Sequence, residues 1–325
     1  MAKFDFESTG DSVIEVLKEE VKGRTIAITG PSDGGIGSET ARCLASGAPK
    51  RLILLSRKVS TIQPVIDDIA STHPSVSVVF IQCDLASQTS VRRAASEILN
   101  LADILHIDIL INNAAILPGP YSKTEDGIES QFGVNHIGHF LLTNLLMPKI
   151  LAAPKPNTRI VVVSSSAHRY ATTLEDYNFS DGATYTEFDG YTRSKAANVL
   201  FTKALAERLK SRDVQVFSLH PGSIETGLKM QVSEEAMVIA RRQAAEAAAR
   251  DGTAHVRSQR KTLKQGCATT LVAALDPSIA SFSGRYLEDG SVFEKPPSAL
   301  VGSKENADSL WKLSEDIVGQ RFDWE

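Results

Sequence analysis

A doubly wound parallel α/β fold is predicted for this chain by three observations. From Arg24 to Leu219, short β-branched runs alternate with longer helical patterns at a spacing of about 25 to 50 residues. The runs are near-continuous in Ile, Leu and Val instead of alternating in and out, as strands buried on both faces are. A glycine-rich turn follows the first run.

In order, the strand candidates are Thr25–Thr29, Arg51–Ser56, Val76–Gln82, Ile107–Asn112, Arg159–Ser164 and Val214–Leu219. Helical patterns fall between them over Gly37–Ser46, Ile62–Ser71, Ser90–Leu101, Gly127–Leu151 and Tyr191–Lys210. An Ala-, Glu- and Arg-rich helix over Glu234–Arg250 follows, then a helix over Lys261–Leu275, a short strand around Gly284–Leu287 and a terminal helix near Lys304–Val318. About seven strands are expected in all. Two segments break the rhythm. Residues 166–190 lack periodicity but carry Tyr170, Tyr177, Phe179, Tyr185 and Phe188 among several acids, and residues 228–258 hold the Ala-rich helix and a polar tract. Residues 1–325 read as one domain, its core about 20–290, with both insertions over the substrate edge.

The composition excludes several classes. A length of 325 residues lies between one large domain and two ordinary ones. With 42% apolar and 23% charged residues, the chain has the balance of a globular protein with a sizeable core. A net charge of −4 offers nucleic acid no global attraction. No apolar run approaches the roughly 18 residues of a membrane span. The opening residues also lack the basic stretch and apolar core of a secretion signal, so a cytoplasmic location is expected. Cys43, Cys83 and Cys267 are widely spaced and form no metal-binding pattern, which suits small buried hydrophobes.

The turn Gly30-Pro31-Ser32-Asp33-Gly34-Gly35-Ile36-Gly37 lies between a strand and a helix. There, glycines let the backbone approach a pyrophosphate while the helix N-terminus offers unpaired N–H groups. One reading is the dinucleotide turn of a Rossmann-type sheet. The same residues spell G-x-S-x-G, the nucleophile elbow of a serine hydrolase, which would make Ser32 the nucleophile. Only about 24 residues precede this strand, leaving little room for the earlier strand and loop an elbow needs. At the end of the second strand stands Ser56-Arg57-Lys58, where an NAD site usually carries an acid for the ribose 2′-hydroxyl. A basic turn suits a 2′-phosphate, so NADP(H) is preferred over NAD(H); the alternative is a solvated basic turn.

Tyr191 and Lys195 are four apart and share one helical face, which lets an ammonium sit near a phenol. A tyrosine titrates near 10, so exchanging protons near neutrality requires roughly 4 kcal/mol of preferential phenolate stabilisation. Lys195 and an oxidised nicotinamide are the two positive charges that could supply it. The preceding strand ends in Ser164-Ser165-Ser166, hydroxyls at the sheet edge where such folds hold ligands. The next strand ends in His220-Pro221-Gly222-Ser223-Ile224-Glu225-Thr226 at the same edge.

Thr29-Gly30 through Gly37, Cys83-Asp84-Leu85, Asn112-Asn113-Ala114-Ala115, Val134-Asn135-His136, Ser164-Ser165, Tyr191 to Lys195 and Pro221-Gly222 occur in one order. In that order the chain resembles the short-chain dehydrogenase/reductase family over about residues 20–290. Gly138-His139-Phe140, Ser165-Ser166-Ala167-His168 and Ala197-Asn198-Val199-Leu200 are most similar to its retinol-dehydrogenase-like branch. The opening of the chain and Ser283-Gly284-Arg285-Tyr286-Leu287 are similar to fungal members.

The resemblance implies an NADP(H)-dependent exchange of an alcohol with its carbonyl. Tyr191 would be the acid/base, Lys195 would lower its pKa and bind the nicotinamide ribose, and Ser165 would hydrogen-bond the substrate oxygen. Asn135 would hold a relay water. Gly30, Ser32, Gly35, Ile36, Gly37 and Arg57 would line the phosphates. Asp84 and Leu85 would meet the adenine, Asn113 and Ala114 the ribose side, and Pro221, Gly222, Ile224 and Thr226 the carboxamide end. Two departures stand out: the glycine turn is one residue longer than T-G-x-x-x-G-x-G, leaving Gly34 or Gly35 as the aligned glycine, and Ala115 replaces a glycine.

Other residues carry less. His136 and His139 lack a third ligand nearby, so no metal is expected. His168 could face substrate from its loop. Arg241 and Arg242 read as a solvated face rather than an anion clamp, and Trp311 and Trp324 as anchors of the C-terminal segment. The aromatics of 166–190 suggest an apolar or ring-bearing substrate, with Tyr177 and Phe179 as a specificity wall. The expected partner is a small alcohol or carbonyl, with a homodimer left open. The rivals are the Ser32 hydrolase and a non-catalytic NADP-binding sensor.

Overall fold

The computed structural model describes residues 4–154, 156–224, 233–250, 259–293 and 298–324. It opens with a helix that the pattern did not announce, α1 (Gly10–Leu17), started by a reciprocal cap between Thr9 and Ser12. Then come β1 (Thr25–Thr29), α2 (Ile36–Ser46), β2 (Arg51–Ser56), α3 (Gln63–Thr72), β3 (Ser77–Gln82), α4 (Gln88–Asn100) and β4 (Ile109–Asn112). The next helical stretch starts at α5 (Ser130–Phe132), not Gly127, because the Glu129 carboxylate caps the N–H groups of Gln131 and Phe132. It passes through one π-turn at Gly133–Ile137 into α6 (Gly138–Leu151).

The second half holds β5 (Thr158–Val163), α7 (Glu187–Arg208), β6 (Val214–His220), β7 (Ser223–Ile224), α8 (Glu234–Arg250), β8 (Arg260–Lys261) and α9 (Leu263–Leu275). It ends with β9 (Tyr286–Glu288), β10 (Ser291–Val292), α10 (Ala299–Gly302) and α11 (Lys304–Val318). α7 begins four residues before Tyr191, because Thr186 caps the Asp189 N–H and acids fill the first turn. Tyr191 therefore sits on the second turn, not at the opening.

The main sheet has eight strands in the order β10-β9-β6-β5-β4-β1-β2-β3, against the seven expected. All are parallel except β10, which folds back on β9 as an antiparallel edge. Every residue of β1, β2, β5 and β6 is buried, which is why these strands read as continuous apolar runs. Ile26 and Ile28 face a layer built with α1, α2, α3 and α9, while Ala27 faces the layer of α4, α6, α7 and α11. β1 lies between β2 and β4, so the chain leaves it in opposite directions and opens a crevice above the C-terminal ends of β1 and β4. The short parallel pair of β7 and β8 brings together the two ends of the second insertion, Ile224 opposite Lys261. α11 lies on the outer face of α6 and α7, with Trp311 edge-on to Phe140 at 5.0 Å and covered by the Arg208 guanidinium at 4.1 Å.

Candidate active site

The crevice is floored by Thr29. Its hydroxyl oxygen accepts the N–H groups of Asn113 at 2.9 Å and Ala114 at 3.0 Å. The Asn113 side chain donates in turn to the carbonyls of Thr29 and Gly30. The strand-end loop after β4 thus braces the glycine turn. Gly30 has φ +65 and lies so close to Ala114 that a Cβ would come within 2.7 Å of that residue's own Cβ. A Cβ at Gly37 would collide with the Asn113 amide. The turn is shaped by this close approach and fits a diphosphate, since Gly35, the N-cap of α2, has no side chain to cover the first-turn N–H groups of Ile36 and Gly37. Gly35, not Gly34, takes the cap position. The extra length is anchored sideways: the Asp33 N–H donates to the Thr61 carbonyl, and Arg42 bridges the carboxylates of Asp33 and Asp68, each at 2.8 Å.

Beside this crevice the end of β5 meets α7. The Ser164 hydroxyl donates to the Lys195 carbonyl at 2.7 Å, and Lys195 Nζ and Asn198 Nδ2 donate to the Val163 carbonyl at 3.1 and 3.3 Å. Those bonds leave Ser165, the middle of the three serines, unclaimed by Lys195: its hydroxyl accepts the Ala167 N–H at 3.2 Å and lies beside the Tyr191 phenol. Burial pushes the Tyr191 phenol up, and the Ser165 hydroxyl opposes that rise. The Lys195 ammonium stands 5.7 Å from the centroid of the Tyr191 ring. Burial brings it down to about 7. Asn135 occupies the π-turn and is fully buried, its amide group spanning the Ile116 N–H at 2.8 Å, the Ile116 carbonyl at 3.1 Å and the Ser194 hydroxyl at 3.0 Å. Ser165, Tyr191, Lys195 and Asn135 are thereby brought to one edge of the sheet, Asn135 reaching the Tyr191 backbone carbonyl through the Ser194 hydroxyl. Ser194 and Ile116 join it without a sequence signal beyond position.

The remaining expected positions line the same edge. Arg57 and Lys58 are exposed at the end of β2, and Ser32 is half-buried in the glycine turn. The Asp84 carboxylate accepts the Ala86 N–H at 3.0 Å, and the Leu85 carbonyl backs onto Gly138. Pro221 and Gly222 follow β6, and Ile224 lies in β7 against Gly266. Thr226 lies outside the described residues. The helix α8 exposes Arg241 and Arg242, the latter paired with Glu246 at 3.6 Å, as a solvated face does.

Several expectations need correction. His168 does not face substrate: it is buried, donates from Nδ1 to the Ser165 carbonyl at 2.5 Å and meets the Tyr286 ring at 4.8 Å. Phe179 is no open wall either, since its ring is buried between the Arg193 guanidinium at 4.2 Å and the Tyr185 ring at 5.1 Å. Tyr177 stacks on Phe132 at 5.5 Å. These aromatics hold the insertion down, because a long loop needs buried contacts of its own to be ordered. Among the described residues a cleft of about 360 Å³ is bordered by Leu117, Pro120, Tyr121 and Gln131, starting at Ile116, whose backbone Asn135 holds. Ser32 does not make a hydrolase elbow: α2 starts four residues later, and among the described residues no histidine bonds to Ser32. His136 and His139 bond to Ser314 and Thr29, respectively, in different directions.

Comparison with known proteins agrees with this fold. Residues 24–237 match the family described as short chain dehydrogenase. The chain is 36% identical over 315 residues to human retinol dehydrogenase 14, covering 91% of this chain and 87% of that one. It is 35% identical to the chloroplastic short-chain dehydrogenase TIC 32 A of Brassica napus, covering 96% and 93%. A crystal structure of an uncharacterized protein from Mycobacterium paratuberculosis superposes with a TM-score of 0.67 at 30% identity, covering 93% and 96%. The NADPH-bound carbonyl reductase from chicken fatty liver shares the fold, with a TM-score of 0.58 at 21% identity over 84% and 98%. Among the described residues no helix is long and apolar enough to cross a membrane.

Proposed function

The chain belongs to the short-chain dehydrogenase family, and from that premise we propose that it is an NADP(H)-dependent oxidoreductase interconverting an alcohol and a carbonyl on an apolar or ring-bearing small molecule. The observation that carries this reading is the convergence of Ser165, Tyr191, Lys195 and Asn135 beside a glycine turn too tight for a Cβ. A bound nicotinamide supplies or accepts the hydride. Ser165 holds the substrate oxygen, and Tyr191 gives that oxygen its proton or takes it away. Lys195 makes the phenolate cheaper and binds the nicotinamide ribose. Asn135 holds the water that reconnects Lys195 to solvent.

Arg57 and Lys58, exposed beside the turn, favour the 2′-phosphate of NADP(H). In the cleft, Leu117, Pro120 and Tyr121 support an apolar or ring-bearing substrate, of which a retinoid, named in the relatives, is one representative, while Ser122, Ser130 and Gln131 on the same lining offer polar contacts. We read the chain as one dinucleotide-binding domain. Its three free thiols suit a reducing compartment, which supports a cytoplasmic location. A homodimer built on α6 and α7 would have to displace α11, so any pairing is proposed to use another face.

Calorimetric titration with NADPH and NADH tests the reading. NADPH is expected to bind at least about tenfold tighter, or about 1.4 kcal/mol. NADH binding as tightly makes Arg57 a solvated turn and removes the NADP preference. Binding of neither removes the oxidoreductase reading.

A further inference from the structure

Thr29, His139 and Asn135 form a buried chain of hydrogen bonds whose protons can be counted. His139 Nε2 lies 2.8 Å from the Thr29 hydroxyl oxygen, and Nδ1 lies 3.1 Å from the Asn135 carbonyl. All three residues are at most 1% exposed, so no solvent completes the set. The Thr29 oxygen already accepts two N–H groups, from Asn113 and Ala114. A hydroxyl has two lone pairs and one proton, so Thr29 can only donate toward His139. Nε2 must then be the acceptor. The one ring proton is left on Nδ1, where it donates to the Asn135 carbonyl four residues back.

We propose that His139 is a positioning residue, held as the neutral Nδ1–H tautomer, that ties the floor of the glycine turn to the π-turn carrying Asn135. The proposal rests on the dehydrogenase reading for its consequence in catalysis, but not for its geometry. Through His139 the loop at Asn113 and Ala114 and the π-turn move together. The Asn135 amide then returns to the same loop two residues on, clasping both backbone groups of Ile116, and reaches Ser194 between Tyr191 and Lys195. The circuit closes on itself. The π-turn is a conformation that needs such outside support, because its backbone bonds are less favourable than those of an α-helix. Burial also holds His139 down at about 4, in keeping with a neutral ring.

The direct test is long-range proton–nitrogen correlation NMR of the ¹⁵N-labelled full chain, the His139 ring being assigned by the signal lost in His139→Asn. A protonated Nδ1 and bare Nε2 are expected near neutral pH. A protonated Nε2, or a doubly protonated ring, overturns the proposal. Amide hydrogen exchange then tests the coupling. His139→Phe keeps a ring but removes the donor, so the Ala114 and Ile116 amides should exchange at least about tenfold faster, equivalent to about 1.4 kcal/mol, while those of β5 are unchanged. His139→Asn can donate to the carbonyl four residues back, as Asn144 does to Phe140 at 2.7 Å on the same helix, and should recover most of the Ile116 protection. Equal exchange in the two variants, or wild-type exchange in His139→Phe, overturns it. If His139→Phe fails to fold, the wild-type spectrum and His139→Asn still decide. Tyr191→Phe serves as the control: it should lose turnover yet keep the His139 tautomer and the Ile116 protection. A chain that binds no dinucleotide would overturn the enzyme reading without altering either readout.

Discussion

Lys195 Nζ donates to the carbonyl of Val163 at 3.1 Å, so the ammonium of α7 is tied to the last residue of β5, two positions before Ser165. Asn198 shares that carbonyl, and Ser164 returns a bond to the Lys195 backbone. The strand end bearing Ser165 and the helix bearing Tyr191 are therefore one mechanical unit. Burial that brings Lys195 down and Tyr191 up is the cost of this arrangement, and the Ser165 hydroxyl is what opposes the rise at the phenol.

Replacing Tyr191 by Phe is expected to lower kcat by about 10²–10⁴-fold, the range for losing a positioned proton donor. Calorimetric NADPH affinity should change by less than threefold, roughly 0.6 kcal/mol. Retained turnover would remove Tyr191 from the chemistry.

If the exposed Arg57 guanidinium reads only the extra phosphate, Arg57→Ala is expected to weaken NADPH binding about tenfold or more and leave NADH unchanged. Equal losses for both dinucleotides would show that Arg57 supports the turn instead of reading the 2′ position.

The fold should weaken in acid. Burial brings His136, His168 and His220 down to about 3 and His139 to about 4, against about 6.5 in the unfolded chain. Below pH 6.5 the unfolded chain binds protons that the folded chain refuses, so stability falls as pH drops toward 4. Glu129 and Glu288, whose carboxyls burial pushes up, offset part of this with the opposite sign. Urea unfolding at pH 7, 6 and 5 should show a falling midpoint. In His136→Phe, set among Phe132, Phe140 and Phe201, the dependence should shrink by about one proton. A flat profile would mean that the rings are charged in the fold.

Trp311→Ala is expected to cost about 3–5 kcal/mol in denaturant unfolding, the range for removing a large buried ring. Trp311 is 4% exposed and packs on Phe140, Phe201 and Trp324 under Arg208. A loss below about 1 kcal/mol would mean that α11 is not part of the cooperative core. Size-exclusion of the same variant reports whether the uncovered α6–α7 face then self-associates.

Sequence alone determined the alternation of strands and helices, because burial on both faces writes itself as continuous Ile, Leu and Val in β1, β2, β5 and β6. It also determined the glycine turn and the pair Tyr191 and Lys195, since both are local patterns read over a few residues. The antiparallel β10, the β7–β8 pair and α1 escaped it: two-residue strands carry no periodicity, and α1 shows its cap only once Thr9 and Ser12 are seen to exchange bonds. The roles of His168, Tyr177 and Phe179 were misread for a related reason. A side chain's polarity and ring state what it can do, while its direction depends on distant neighbours, here Tyr286, Phe132 and Arg193. Only tertiary structure decided that Asn135 clasps Ile116 and reaches Ser194, 59 residues away, and that His139 meets Thr29 across 110 residues. Such bonds join segments brought together by strand order, and strand order is settled by the packing of the whole sheet rather than by any one segment of the chain.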